Sequence, residues 1–256
     1  MLFRSIDATG DADLAAWSGV ACTKGRKTDG LCQPMTMKLR IVNVNIEAVK
    51  NYIRQNIEEF PVLEGDASII DRASRLSIGG FEKLWKNGIL NNEIDIKRKD
   101  LLMFEAHNKG EVIINSTRIT GLDGTDPWSL SKAEMEGRKQ AGELFRFLKK
   151  NVPGFEESIL IYTGPSIGVR SSRQIKGLYT LTAEDIINCR SFEDVIAHSG
   201  YPIDIHSPDS DGLDHVRLKW GSVYCIPYRC MVNSQVKNLI TVVNHWISLK
   251  KAAAIC

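Results

Sequence analysis

Apolar and polar positions alternate along this chain in short stretches of two different periods. Ile6 belongs to a strand that ends at Asp7, a turn of small residues follows at Ala8-Thr9-Gly10-Asp11, and Asp13 through Ser18 read as a short helix closed by Gly19. Over residues 34–44, Met35, Met37, Leu39 and Ile41 occupy every second position, which predicts a strand with one buried face. Ile46, Val49, Ile53 and Ile57 then recur at helical spacing, so residues 46–58 form an amphipathic helix. Phe81, Leu84 and Trp85 mark a further short helix stopped near Gly88. Residues 101–106 and 111–115 flank Asn108-Lys109-Gly110 and predict a hairpin.

The second half shows the same mixture. Ser131 and Glu134 have the S-x-x-E spacing of a capping box, which opens a helix whose stripe includes Met135, Leu144, Phe145 and Leu148. Val152-Pro153-Gly154 ends it, because proline disfavours helix in the residue before it. A strand follows at 158–163. Thr182 with Asp185 and Ser191 with Asp194 predict two more helix starts. Val216–Lys219 and Val223–Ile226 flank Trp220-Gly221-Ser222 as a second hairpin. Phe155, Trp220 and Tyr224 are assigned to the core, and His107, His198, His215 and His245, which show no ligand spacing, are read as surface or satisfied polar residues. Hairpins and helices without a regular strand–helix–strand series indicate an α+β fold.

Composition narrows the function classes. The chain has 256 residues, enough for one or two domains, and 43% hydrophobic with 25% charged residues is ordinary globular usage. A net charge of +2 without a clustered basic face argues against nucleic acid as a partner, and Lys97-Arg98-Lys99 reads as a solvated strand entry. No apolar run approaches the ~18 residues of a membrane span. The first residues lack the apolar core of a signal peptide, so a cytoplasmic location is expected. The six cysteines form no CxxC pair; reduced thiols are expected, and a zinc site or iron–sulfur cluster is not. The chain contains no G-x-G-x-x-G, P-loop, HExxH or G-x-S-x-G motif.

Several blocks in order carry a family resemblance. They begin at Asp7-Ala8-Thr9-Gly10-Asp11-Ala12-Asp13-Leu14-Ala15, with Gln33-Pro34-Met35-Thr36 after it, and return at Ala133-Glu134-Met135-Glu136-Gly137-Arg138 and Val152-Pro153-Gly154-Phe155. Gly168-Val169-Arg170-Ser171-Ser172-Arg173 with Gly177–Asp185 is the most specific; Tyr201–His206 and Ile226-Pro227-Tyr228-Arg229 complete the series. The chain resembles FAD-dependent oxidoreductases of the heterodisulfide reductase A-like kind. The resemblance implies FAD as cofactor and a hydride transferred between FAD and a small-molecule substrate. It also implies three segments: residues 1–34 as the end of a first Rossmann-like FAD-binding unit, 35–230 as a substrate-facing mixed-sheet domain, and 231–256 as a return to the flavin. Three departures stand against it. The glycine fingerprint before the first block is absent, Ser171 stands where the family commonly has Glu, and Thr241-Val242-Val243-Asn244 replaces a Gly-Arg pair. A fragment is therefore expected, one that does not hold FAD alone. The alternatives are a non-catalytic chain and one half of a split enzyme whose FAD-binding unit is a separate chain. Met1–Ser5 fits no block and matches what a sequencing-adapter stretch would encode, so it is expected to be an assembly scar.

Under this resemblance Ala8, Thr9, Gly10 and Asp11 contact the flavin cofactor: small residues let a dinucleotide approach, and Asp11 can accept from a sugar hydroxyl. Read on residues alone, the same stretch is a strand–turn–helix cap with Asp11 satisfying helix amides. Arg170 and Arg173 either stabilise charge on reduced flavin or a substrate carboxylate, or form structural salt bridges with Glu184 or Asp185. Asp204 and His206 share a face and either relay a proton or anchor the loop before Pro208. Tyr228 and Arg229 are placed at the substrate cavity.

Overall fold

The computed structural model describes residues 4–210 and 212–242. It is an α+β structure that divides into two compact units. One gathers the residues up to Pro34, Thr120–Ser129 and those from Arg170 on; the other comprises Met35–Ile119 and Leu130–Val169. Packing thus groups residues 170–230 with the beginning of the chain rather than with the expected 35–230 segment.

The first unit opens with β1 (Ser5–Asp7), α1 (Asp13–Trp17) and β2 (Cys22–Lys24). The chain then enters the second unit, with β3 (Leu39–Val42), α2 (Ile46–Gln55), α3 (Ile69–Arg72), β4 (Ser77–Gly80), α4 (Glu82–Leu90), β5 (Leu101–Glu105), β6 (Val112–Ile114), α5 (Pro127–Asn151) and β7 (Ile159–Thr163). The strands form one antiparallel sheet in the order β4-β5-β6-β3-β7. Met35, Met37, Leu39 and Ile41 are all buried, as their alternation predicts, although only Leu39–Val42 runs in the ladder; Met35 and Thr36 make single bridges to Ile119 and Gly168. The β5–β6 hairpin forms as read, Phe104 opposite Ile113.

Helix boundaries differ from the sequence reading in three places. Asn45 caps α2 by accepting from the Ala48 amide at 3.1 Å, and the helix ends at Gln55, with Ile57–Glu59 tightening into a 3-10 turn. α4 continues past Gly88, whose missing side chain makes room for Phe147: a Cβ there would lie 2.5 Å from the ring. α5 starts at Pro127, not Ser131. Asp126 accepts from the Ser129 amide at 2.8 Å, and proline occupies the first helical position, where its missing N–H costs nothing. Glu134 instead accepts from the Ile167 amide and pairs with Arg138. Met135 is exposed; the buried face is Ala133, Gly137, Gln140, Ala141, Leu144, Phe147 and Leu148.

The first unit resumes with β8 (Arg173–Ile175), α6 (Ala183–Ile187), β9 (Val195–Ser199), β10 (Ile203–His206), β11 (Leu213–Val216), β12 (Tyr224–Pro227) and β13 (Leu239–Thr241). These make strand pairs: β1 with β13 in parallel, and β2 with β8, β9 with β12 and β10 with β11 antiparallel. The Thr182–Asp185 capping box is present. Ser191–Asp194 starts no helix, because the Asp194 carbonyl and carboxylate accept from the Tyr228 and Arg229 amides and hold that segment against the end of β12. β12 accordingly pairs with β9, and the expected hairpin around Trp220 does not form; Trp220 is fully exposed rather than core. Phe155 and Tyr224 are core, and His107, His198 and His215 lie on the surface as expected, whereas His245 falls outside the described residues. One core of this unit joins Leu181, Ile186, Ile203, Tyr224, Ile226 and Cys230; a second joins Ala12, Ala15, Val20, Ile175 and Leu239. Among the described residues no helix is long and apolar enough to cross a membrane.

Candidate functional site

The turn after β1 is fixed from below and open above. Asp7 is 1% exposed. Its Oδ2 accepts from the Ala15 amide at 2.7 Å, and its Oδ1 accepts from the Thr9 amide at 3.1 Å and the Thr9 hydroxyl at 2.7 Å. Thr9 Oγ1 in turn accepts from the Asp13 amide at 2.9 Å. The helix amides are therefore satisfied by Asp7 and Thr9, not by Asp11 as the capping alternative had it. Ala8, Thr9 and Gly10 are exposed; Gly10 has φ +88°, and a Cβ on it would meet no atom within 4 Å. A left-handed glycine with open space above it is where another molecule can approach backbone closely.

Arg173 locks this turn from the side. It lies on β8, opposite Lys24 of β2. Its Nε donates to the Asp11 carbonyl at 2.9 Å, and its guanidinium pairs with Asp13. The structural alternative read from sequence thus finds a salt bridge at Arg173, to Asp13. Asp185 belongs to Arg190, at 3.1 Å. Arg170 is half-buried three residues before it.

A chain of bonds links this region to His206. Ser171 Oγ accepts from the Gln33 amide at 3.0 Å, and Gln33 Oε1 accepts from the His206 amide at 3.0 Å. Asp204 Oδ1 stands 3.7 Å from His206 Nε2, on the same face as the spacing requires; this is ion-pair range once the imidazole is protonated, and longer than a hydrogen bond.

Tyr228 and Arg229 form a separate cluster in the same unit. The Arg229 guanidinium lies over the rings of Tyr179, at 5.3 Å, and Phe192, at 5.5 Å, and these two rings meet edge to face at 5.3 Å. Asp194 accepts from the Arg229 amide at 3.0 Å and stands 3.5 Å from its Nη2. Nearby, Asp185 accepts from the Thr182 amide and hydroxyl, the Tyr179 hydroxyl and Arg190. Burial pushes its carboxyl pKa up, but these hydrogen bonds outweigh it and hold the group below the usual range.

Thus the structure brings Ala8–Asp11 together with Arg173, ties His206 to Ser171 through Gln33, and sets Arg229 over the rings of Tyr179 and Phe192. Sequence reasoning gave no site role to Asp7, Gln33, Tyr179, Phe192 or Asp194. Asp7 carried a signal, since a charged residue closing a strand before a small-residue turn must find partners once buried. The Ala133–Arg138 block is structural. Gly137 admits Ile167 and Met37, and Arg138 donates to Thr163 Oγ1 at 2.6 Å. Among the described residues no group of three or more His, Cys, Asp or Glu side chains could hold a metal ion, and Cys22, Cys32, Cys189, Cys225 and Cys230 are free thiols. The profile of the FAD dependent oxidoreductase family matches residues 4–254, so Arg4 and Ser5, expected as part of a scar, lie inside the match. No curated protein and no solved structure matches the chain.

Proposed function

Because the chain belongs to the FAD dependent oxidoreductase family, we propose that its enzyme oxidises or reduces a small organic substrate against FAD, with the turn Ala8–Asp11 as a flavin-cofactor contact. The observation that carries this is the open turn at Gly10: small, exposed, left-handed, and held rigid by Asp7 beneath and Arg173 beside it. That cradle fits a dinucleotide, whose sugar and phosphate oxygens accept from exposed backbone amides and whose sugar hydroxyls donate to a carboxylate such as Asp11. FAD, when bound, supplies the two-electron chemistry.

The chain's own residues supply position and charge. Arg173 orients the turn and acts through it. Arg170, three residues before Arg173 in the chain, is the second guanidinium we assign to negative charge on flavin or substrate. His206 holds or releases a proton at its imidazole, with the Asp204 carboxylate 3.7 Å from Nε2. Tyr228 and Arg229 serve the substrate side. Within the family we place the chain with the heterodisulfide reductase A-like flavoproteins, on the blocks at Asp7–Ala15 and Gly168–Arg173.

An NMR titration with FAD tests the cofactor contact and tolerates weak binding. Amides of residues 8–11 should shift on addition of FAD, and Gly10→Val, which adds bulk on the open side and strains the backbone, should abolish those shifts. Shifts confined to other segments, or undiminished in the variant, would dismiss the turn as the contact.

A further inference from the structure

We infer that Arg229 is a carboxylate receptor and that the substrate taken by this site is an organic anion. Calling the ligand a substrate rests on the oxidoreductase reading; the binding itself does not. The argument starts from how the guanidinium is held. Its carbon lies over the rings of Tyr179 and Phe192, 5.3 and 5.5 Å from their centres. A guanidinium held against aromatic rings keeps its N–H donors for an acceptor. Among the described residues those donors have no hydrogen-bond acceptor: Asp194 is the counter-charge, at 3.5 Å and without a hydrogen bond to the guanidinium. Asp194 instead spends Oδ2 on the Arg229 amide, which fixes the backbone the side chain leaves from.

The neighbouring arginine shows what a filled site looks like. Arg190 also lies over Phe192, at 5.3 Å, but it donates to Asp185 at 3.1 Å and to the Tyr179 hydroxyl at 3.3 Å. Its donors have acceptors, and those of Arg229 do not. The Arg229 side chain is 45% exposed, and Tyr228 beside it is 44% exposed, so the open fork faces solvent. A guanidinium held over aromatic rings and without a hydrogen-bond acceptor can take a carboxylate in bidentate fashion. The neighbouring rings favour an acid with an apolar or aromatic body. Asp194 is then the positioning residue: it holds the guanidinium in register without consuming its donors.

The test uses benzoate and its neutral isostere benzamide on the intact chain without FAD, at constant ionic strength, followed by NMR of the Tyr179 and Phe192 rings. Benzoate should shift these resonances and bind at least about tenfold more tightly than benzamide. Arg229→Lys keeps the charge and loses the fork, and should weaken benzoate about tenfold. Arg217→Gln, which removes an exposed charge elsewhere, should leave binding unchanged. Equal affinity for benzoate and benzamide, or an Arg229→Lys protein that binds benzoate like the parent, overturns the proposal. Should Arg229→Lys fail to fold, the benzoate–benzamide comparison on the parent decides alone. Since FAD is absent, a negative result leaves the turn's assignment standing, and loss of the FAD shifts at residues 8–11 leaves this one standing.

Discussion

Replacing Asp7 should loosen the whole entry to α1. The carboxylate accepts hydrogen bonds from Ala15 N, Thr9 N and Thr9 Oγ1. Thr9 is exposed, so water replaces Asp7 for its two donors at little cost; Ala15 is buried, so its amide is left with nothing. A hydrogen bond to a charged acceptor is worth about 1.5–3 kcal/mol net, and an orphaned buried amide costs about 1–3 kcal/mol, two views of one loss that place Asp7→Ala near 3 kcal/mol. For a chain of this size that is a fall of about 6–12 °C in the unfolding midpoint of the unit containing the turn. Asp7→Asn retains one carbonyl oxygen but points an NH2 group at a donor, so it should lose about half as much. Differential scanning calorimetry reads the midpoint, and amide exchange at Ala15 reads the local effect, which should rise in step. An Asp7→Ala protein with the parent's midpoint and a still-protected Ala15 amide would show that the carboxylate does not hold the turn.

Three further outcomes follow from the same kind of reasoning. Asp126→Ala should cost about 0.5–2 kcal/mol as a lost helix cap, while Ser131→Ala, at an exposed position inside α5, should fall within about 0.5 kcal/mol of the parent in urea unfolding; the reverse order would restore the capping box at Ser131. Asp185 has its folded pKa held below the ordinary 3.8, so its contribution is complete above that value and is lost as pH falls through the folded pKa. Urea midpoints taken from pH 5 downward should therefore fall more steeply in the parent than in Asp185→Asn, and equal acid slopes would contradict it. Burial pushes the Cys230 thiol up to about 11, so iodoacetamide near pH 8 should leave it unlabelled until the chain is unfolded. Labelling at the denatured rate in the folded protein would show that the thiol is not buried as described.

What the sequence determined was local. Alternation at Met35–Ile41 survives because those side chains have one buried side, whichever strands lie beside them. The β5–β6 hairpin and the Thr182–Asp185 box are legible because their partners lie within a few residues. The small turn at Ala8–Asp11 is legible for the same reason, together with the order of the blocks that places it in a family. Where two local signals compete, spacing alone misleads: Ser131 with Glu134 has capping-box spacing, but Asp126-Pro127 sits one turn earlier and already starts the helix, which leaves Glu134 free to hold Ile167.

Pairings between distant residues were decided only by the tertiary structure. Nothing near Asp194 shows that its carbonyl and carboxylate meet the amides of Tyr228 and Arg229, yet that contact turns a predicted helix start into the approach to β9 and takes β12 away from the hairpin around Trp220. Arg173 had acidic neighbours in sequence at Glu184 and Asp185, but the β2–β8 pairing carries it to Asp13, and α6 leaves Asp185 to Arg190. Arg229 could be named from its block, but not its setting, which depends on Tyr179 and Phe192 lying under its guanidinium while Asp194 makes no hydrogen bond to it. The physical reason is the same in each case: periodicity and capping are set by side chains within a turn or two, whereas the partner of a buried or stacked charge is set by whichever strand the fold lays beside it.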